Sequence, residues 1–167
     1  FRVSSRQEIP RNGANRRPIT TEGSSGWPRL SPDGTFIAFV GVRGTQRGIW
    51  RMNPDGTDVR RLTDFGAMSW APYIHPSGQY FIFASNKLGF ENFELFMVDI
   101  DGKKEPVRVT YSDGFDGLPV PAPDGKQLAW TSSRSGGTGS AGQLFLAQWN
   151  HEKALEAIKN APLRKGK

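Results

Sequence analysis

Ser31-Pro32-Asp33-Gly34, followed at once by the run Thr35-Phe36-Ile37-Ala38-Phe39-Val40, is a Pro-Gly turn that leads into aromatic and β-branched residues. The same order returns at His75-Pro76-Ser77-Gly78 and at Ala122-Pro123-Asp124-Gly125. The three tetrad prolines are 44 and 47 residues apart, a period that is typical of a four-stranded propeller blade. The repeat therefore predicts an all-β fold with three tandem blades.

Each tetrad has the chemistry of a tight turn between two strands. Proline presets φ at the second turn position, a short polar side chain bonds to nearby backbone, and glycine takes the positive φ that closes the hairpin. We assign these turn roles to Pro32, Asp33, Gly34, Pro76, Gly78, Pro123, Asp124 and Gly125. The runs that follow, at 36–40, 80–84 and 128–131, are predicted strands because β-branched and aromatic residues favour a pleated, half-buried surface.

A second turn, at 53–56 and 99–102, divides the first two repeats into four strands each, whereas the third repeat ends after a strand at 143–149. Apolar residues at 154, 155 and 158 then predict a short amphipathic helix. Residues 16–20 resemble the outer strand at 60–63, so we expect them to complete the last blade. The predicted segments are a basic arm (1–15), a closing strand (16–26), three blades (27–66, 67–112 and 113–150) and a helix with a basic tail (151–167).

At these motifs the sequence resembles the TolB-like β-propeller repeat family, in which a Ser-Pro-Asp-Gly tetrad, strands and a Leu-Thr pair recur. The firmest matches are the tetrad at 31–34, the turn at 53–56 and the pair Leu62-Thr63. His75 and Ser77 depart from the pattern, as does Leu118-Pro119 at a position where a tryptophan is expected. The resemblance implies a periplasmic or exported bacterial protein whose propeller, usually of six blades, serves as an interaction platform.

Three blades do not close a ring, since propellers typically need four to eight. The chain is therefore a piece of a longer propeller, one half of a homodimer with six blades, or an open wedge whose flanks a larger assembly covers. In the last two cases the uncovered faces of the blades would themselves bind the partner.

The net charge of +6 lies at the two ends of the chain, because residues 27–150 carry equal numbers of basic and acidic side chains. A neutral body argues against a broad nucleic-acid face, and two basic ends favour contact with an acidic protein or an anionic membrane surface. The alternative is that these ends merely keep the chain soluble. The partner-binding candidates are Arg2, Arg6, Arg11, Arg16, Arg17, Trp149, Lys153, Arg164 and Lys165.

The sequence offers few groups for catalysis. Without cysteine there is no thiolate nucleophile, disulfide or thiolate metal site, and the two histidines are expected in a turn (His75) and at a helix start (His151), capping or facing solvent. Asp113 and Asp116 could ligate calcium, but Asp-Gly pairs are turn formers, and the turn reading is favoured. The five tryptophans are expected mostly in the core, with Trp149 semi-exposed. We therefore predict no catalytic residue, no metal and no cofactor.

These observations favour a non-catalytic protein-interaction or scaffold subunit of a larger, exported complex. The alternative, from a different functional class, is the accessory propeller of an exported peptidase whose catalytic domain lies elsewhere.

Overall fold

The computed structural model describes residues 17–134 and 142–164 and has eleven strands and one helix within them. The first sheet has the order β1-β2-β3-β4 and the second β5-β6-β7-β8, while the third has three strands in the order β11-β10-β9. The strands are β1 (Ser24–Leu30), β2 (Ile37–Arg43), β3 (Gln46–Met52), β4 (Arg60–Arg61), β5 (Ser69–Ile74), β6 (Tyr80–Ser85), β7 (Glu94–Asp99), β8 (Val107–Arg108), β9 (Asp116–Pro121), β10 (Gln127–Ser132) and β11 (Gln143–Gln148). All paired strands are antiparallel, and the prediction of propeller blades in an incomplete ring is confirmed.

The tetrads form the turns between the first two strands of each sheet. Their glycines have φ of +74°, +73° and +70°, and each donates its amide to the carbonyl of the first tetrad residue at 2.8 Å. In the first tetrad, the Ser31 hydroxyl also donates to the Asp33 carboxylate at 2.6 Å. This bond, with two further bonds from Thr35, lowers the pKa of Asp33 to about 2, so the carboxylate stays ionised and fastens the turn.

The core lies in two layers between the three sheets. Between the first and second sheets, the buried side chains are Phe36, Ala38, Ile49, Leu62, Ile74, Phe81, Phe83, Phe96 and Val98. Between the second and third sheets, they are Tyr80, Ile82, Ala84, Phe93, Leu95, Met97, Leu128 and Trp130, together with Ala154 and Ile158 of the helix. Because the second sheet is covered on both faces, every residue of β6 is buried and its sequence shows no alternation.

The predicted helix is present as α1 (His151–Asn160), which follows β11 directly. Its N-cap is Asn150, whose side chain accepts a hydrogen bond from the Lys153 amide at 2.9 Å. After the helix, the chain is held at the second blade by a bridge between Leu163 and Lys104. No described helix has the length and apolar character to cross a membrane.

The prediction of a closing outer strand at 16–26 is wrong over the described residues. Residues 17–20 form no strand, and residues 24–26 belong to β1, the inner strand of the first blade. Ile19 packs instead against Phe39, Trp50 and Met52 on the far face of the first sheet. Burial of Ile19 on this nearby apolar face explains why the segment stays with the first blade.

Candidate functional site

The three inner strands, β1, β5 and β9, converge and enclose a pocket of about 300 Å³ at the tetrad end of the blades. We call it the axial pocket. It brings together the three tetrad prolines, although they are 44 and 47 residues apart in sequence. Its lining is Pro32, Pro76, Pro123, Pro121, Leu30, Ile74, Tyr73 and Arg29.

A backbone bulge in each inner strand shapes the wall of the axial pocket. Trp27, Ala71 and Leu118 have φ of 48°, 45° and 55°, a left-handed conformation that is uncommon for residues other than glycine. Each stands directly before a proline, five residues ahead of the tetrad proline, and the ladder register shifts at the same place in all three sheets. The bulge therefore recurs in every repeat, and it changes the direction of the side chains that lead into the axial pocket.

Arg29 and Tyr73 form the polar side of the axial pocket. The Arg29 guanidinium lies 5.0 Å from the centre of the Tyr73 ring, which is a cation–π distance. Arg29 is exposed, so its donors can still pair with an incoming carboxylate. A rigid proline-lined hollow beside an arginine and a tyrosine suits an apolar side chain that has an acidic group next to it.

A second uncovered surface is the outer face of the third sheet. Leu144 and Leu146 of β11 are 86% and 65% exposed, and Leu118 and Val120 of β9 are also exposed. Leu146 and Val120 both pair with Ala129 of β10, so they share one face. The opposite face, with Leu128 and Trp130, packs against the second sheet and the helix.

The two histidines meet behind the tetrad turns, although the sequence predicted separate positions, His75 in a turn and His151 at the start of a helix, where it caps or faces solvent. Their rings are stacked at 4.7 Å with an angle of 4° between the planes, and the His75 ring also stacks on Tyr80 at 4.6 Å. The indole N–H of Trp149 donates to the Tyr80 hydroxyl at 2.7 Å, and that hydroxyl lies 3.1 Å from Nδ1 of His151. Burial raises the pKa of Tyr80 to about 12, so its O–H remains a donor to His151.

His75 holds the second and third blades together as a neutral group. Its Nδ1 accepts from the Ser77 amide at 3.2 Å and contacts the Ser77 hydroxyl at 2.9 Å, while Nε2 faces the Gly125 carbonyl at 3.4 Å. This pattern assigns the proton to Nε2. Burial, reinforced by the neighbouring His151, lowers the pKa of His75 even though the Gly125 carbonyl favours the protonated form.

We expect the free energy of unfolding to fall as the pH drops below about 6.5, where the unfolded histidine gains a proton that folded His75 resists. Between the folded and unfolded pKa values the unfolded chain binds more protons, so stability rises with pH across that window. Urea unfolding at several pH values should show this slope, and it should be shallower in His75→Ser, which restores the serine of the first tetrad. Equal slopes in the two proteins would refute the assignment.

The described residues contain no cluster typical of a metal centre. No group of three or more His, Asp or Glu side chains in 17–134 and 142–164 is placed to hold a metal ion. The buried Asp116 carboxylate, a calcium candidate in the sequence, pairs with Arg134 at 2.5 Å and accepts from the Trp130 indole at 3.3 Å. His75 contacts Ser77, but its ring is 3% exposed and Nδ1 is shared with the turn backbone.

The structure places the predicted partner-binding residues as follows. Trp149 is partly buried and bonded to Tyr80, and Arg164 donates to the carbonyls of Leu62 and Gly102 at 2.5 and 3.1 Å. Arg17 and Lys153 are exposed. Arg2, Arg6, Arg11, Arg16 and Lys165 lie outside the described residues. Trp149 is thus semi-exposed as expected, whereas Trp27, for which a core position was favoured, is 54% exposed.

Sequence reasoning missed Arg29, Leu30 and Tyr73, and it gave the tetrad prolines only a turn role. A usable signal was present, because a second proline recurs at 28, 72 and 119, four residues before each tetrad proline. That double-proline spacing marks the bulged strand, and the residues between the two prolines reach the axial pocket.

The chain matches the family model of the TolB beta propeller domain over residues 11–156. It is 39% identical over 74 residues to the uncharacterized protein Atu1656 of Agrobacterium fabrum, covering 44% of this chain and 25% of that protein. It is 32% identical over 110 residues to a TolB homolog of Chlorobium luteolum, covering 65% of this chain and 24% of that protein. The chain thus spans about a quarter of the length of these curated relatives.

Among solved structures, the chain is similar to a putative TolB from Agrobacterium tumefaciens, with a TM-score of 0.68 and 25% identity over 78% of this chain and 47% of that one. Two peptidases also share the fold, at 14% and 13% identity. At such low identities the similarity to these two peptidases shows only a shared fold.

Proposed function

The chain belongs to the TolB beta propeller domain family, and from this premise we propose that it acts by binding another protein through the axial pocket. The observation that carries the proposal is the convergence of three inner strands on a proline-lined hollow with Arg29 and Tyr73 at its side. Aromatic and arginine side chains in a rigid concave site are the usual anchors of protein interfaces.

The proposed role is that of a non-catalytic subunit in a larger, exported or periplasmic assembly. The family membership and the relatives named TolB support this role. The alternative role as an accessory propeller of a peptidase has only the likeness of fold in its support. The exposed arginine and lysine at positions 17 and 153 are proposed as secondary contacts for an acidic partner surface.

The completion of the ring also remains a proposal. The outer face of the third sheet, with Leu144 and Leu146, is the surface that a further blade would cover. Such a blade belongs to a longer polypeptide, to a second copy of this chain or to another subunit.

The test is site-specific photo-crosslinking in the organism that encodes the chain. A benzophenone amino acid at Tyr73, beside the axial pocket, is expected to capture a distinct partner protein. The same group at Arg60, an exposed residue on the outer strand β4, is the matched control and should not capture that partner. If position 60 captures the same protein as efficiently, or if position 73 captures none, the axial pocket is not the binding site.

A further inference from the structure

A separate groove of about 580 Å³ lies between the first and second blades, at the end of the strands opposite to the tetrad turns. Its walls are the β2–β3 hairpin near Thr45, the connection from β4 to β5 at 65–68, and the β6–β7 loop at 86–90. We call it the blade groove. It shares no lining residue with the axial pocket.

The ionisable side chains that line the blade groove in the described part of the chain are all basic: Arg47, Arg61 and Lys87. Arg61 pairs with Asp64 at 3.0 Å, and Lys87 lies 4.0 Å from Glu105, but neither acid lines the groove. The three basic groups outnumber these two acids, so the blade groove presents a small local positive charge on a body whose total charge is balanced.

Two aromatic side chains, Phe65 and Phe90, also line the blade groove. Lys87 lies 4.8 Å above the ring of Phe65, which in turn stacks on the core residue Phe83 at 5.9 Å. Phe90 is 79% exposed at the tip of the β6–β7 loop. The apolar surface of this phenylalanine is in contact with water, and a ligand that covered it would gain the free energy of burying that surface.

The walls of the blade groove are fixed by buried polar side chains. The Asn86 side chain accepts from the Met68 amide at 2.9 Å and donates to the Phe90 carbonyl at 3.3 Å, and the Ser85 hydroxyl donates to the Met68 carbonyl at 2.8 Å. The connection between the blades and the loop that carries Phe90 are thus held in one arrangement. A groove that is organised before binding loses less conformational entropy when a ligand enters.

We propose that the blade groove binds an acidic segment of a partner protein, with carboxylates paired to Arg47 and Lys87 and an apolar side chain against Phe65 and Phe90. Charge complementarity determines the occupant, because a basic lining disfavours another basic segment. A peptide is favoured over a nucleic acid because the cationic lining is confined to one groove and the rest of residues 27–150 adds no net positive charge.

The experiment uses the full chain and three fluorescent probes of equal length. They are a peptide that alternates glutamate with phenylalanine and leucine, the same peptide with lysine in place of glutamate, and a single-stranded oligonucleotide with the charge of the acidic peptide. We expect the acidic peptide to bind best. The double variant Arg47→Glu and Lys87→Glu should weaken it at least about tenfold, and Phe90→Ala roughly fivefold. Lys126→Glu, an exposed charge reversal at the tetrad end, is the matched control and should change binding less than about twofold.

Circular dichroism checks that each variant is folded. The Phe90 side chain is largely in water, so Phe90→Ala should fold and tests the proposal even if the double variant unfolds. Equal binding of the lysine peptide, tighter binding of the oligonucleotide at the same residues, or an unchanged affinity in folded variants would each overturn the proposal. The axial pocket would be unaffected by such a result, since its lining is different.

Discussion

Replacing Glu94 with alanine is expected to lower the free energy of unfolding by about 3 kcal/mol, because the change removes a fully buried carboxylate and leaves the donors bonded to it, among them the half-buried Arg108, without that partner. Glu94 is fully buried at the start of β7. Its carboxylate pairs with Arg108 at 2.5 Å, accepts from the Ser112 amide at 2.9 Å and is bonded to the Thr110 hydroxyl. Urea or thermal unfolding of the variant measures the effect.

The first blade provides an internal comparison for this prediction. Ile49 and Leu95 donate their amides to the Thr63 and Thr110 hydroxyls in the same way, so Gly48 occupies the position of Glu94. Arg61, the counterpart of Arg108, turns to Asp64 instead. The first blade thus forms without a buried acid at this position, and its arginine has another partner.

The matched control is Glu105→Ala, which removes an exposed carboxylate 4.0 Å from Lys87 and should cost less than about 1 kcal/mol. The double variant Glu94→Ala and Arg108→Ala should be less destabilised than the sum of its single variants. A loss for Glu94→Ala no larger than that of the control would mean that the pair contributes nothing to the second blade.

Combining Arg29→Glu with Tyr73→Ala is expected to lower the affinity for the partner captured at the axial pocket by about 100-fold. Each single change is expected to lower it by roughly tenfold. Charge reversal removes the donor for a partner carboxylate, and truncation of Tyr73 removes the aromatic wall on which Arg29 lies. Isothermal titration calorimetry with the purified partner measures these affinities.

Arg60→Glu is the control for the axial pocket. It is an exposed arginine on the outer strand β4, paired with Asp58 and Asp101, and should leave the affinity within about twofold. An equal loss in Arg60→Glu and in the axial variants would indicate a general electrostatic effect and not a pocket. Retained affinity in the double variant would place the partner elsewhere.

The repeat sufficed to predict the blades because each tetrad acts locally. Pro32 and Gly34 set backbone angles within one turn, and the run after them pairs with its neighbour whatever lies further away. The helix at 151–160 was predicted for the same reason, since its apolar spacing is local.

The closing strand was mispredicted because a strand-like sequence does not determine which neighbouring strand it pairs with. The segment at 16–20 resembles 60–63, and β11 is an edge strand of the third sheet, yet Ile19 packs on an apolar face of the first sheet instead. The local sequence pattern does not show whether the segment pairs with the third sheet or packs on the first.

The site was largely hidden because it depends on long-range geometry. Arg29 and Tyr73 are 44 residues apart and meet only because successive blades are related by rotation about one axis. His75 and His151 likewise stack although they lie in a turn of the second blade and in the C-terminal helix, so the local pattern around each histidine does not show their contact.

The most direct test of the axial pocket is a crystal structure of this chain with the partner captured at position 73. We predict that an apolar side chain of the partner lies among Pro32, Pro76 and Pro123, and that an acidic group of the partner lies within about 4 Å of the Arg29 guanidinium. A complex in which the partner lies only on the outer face of the third sheet, with nothing of it between those prolines, would contradict it.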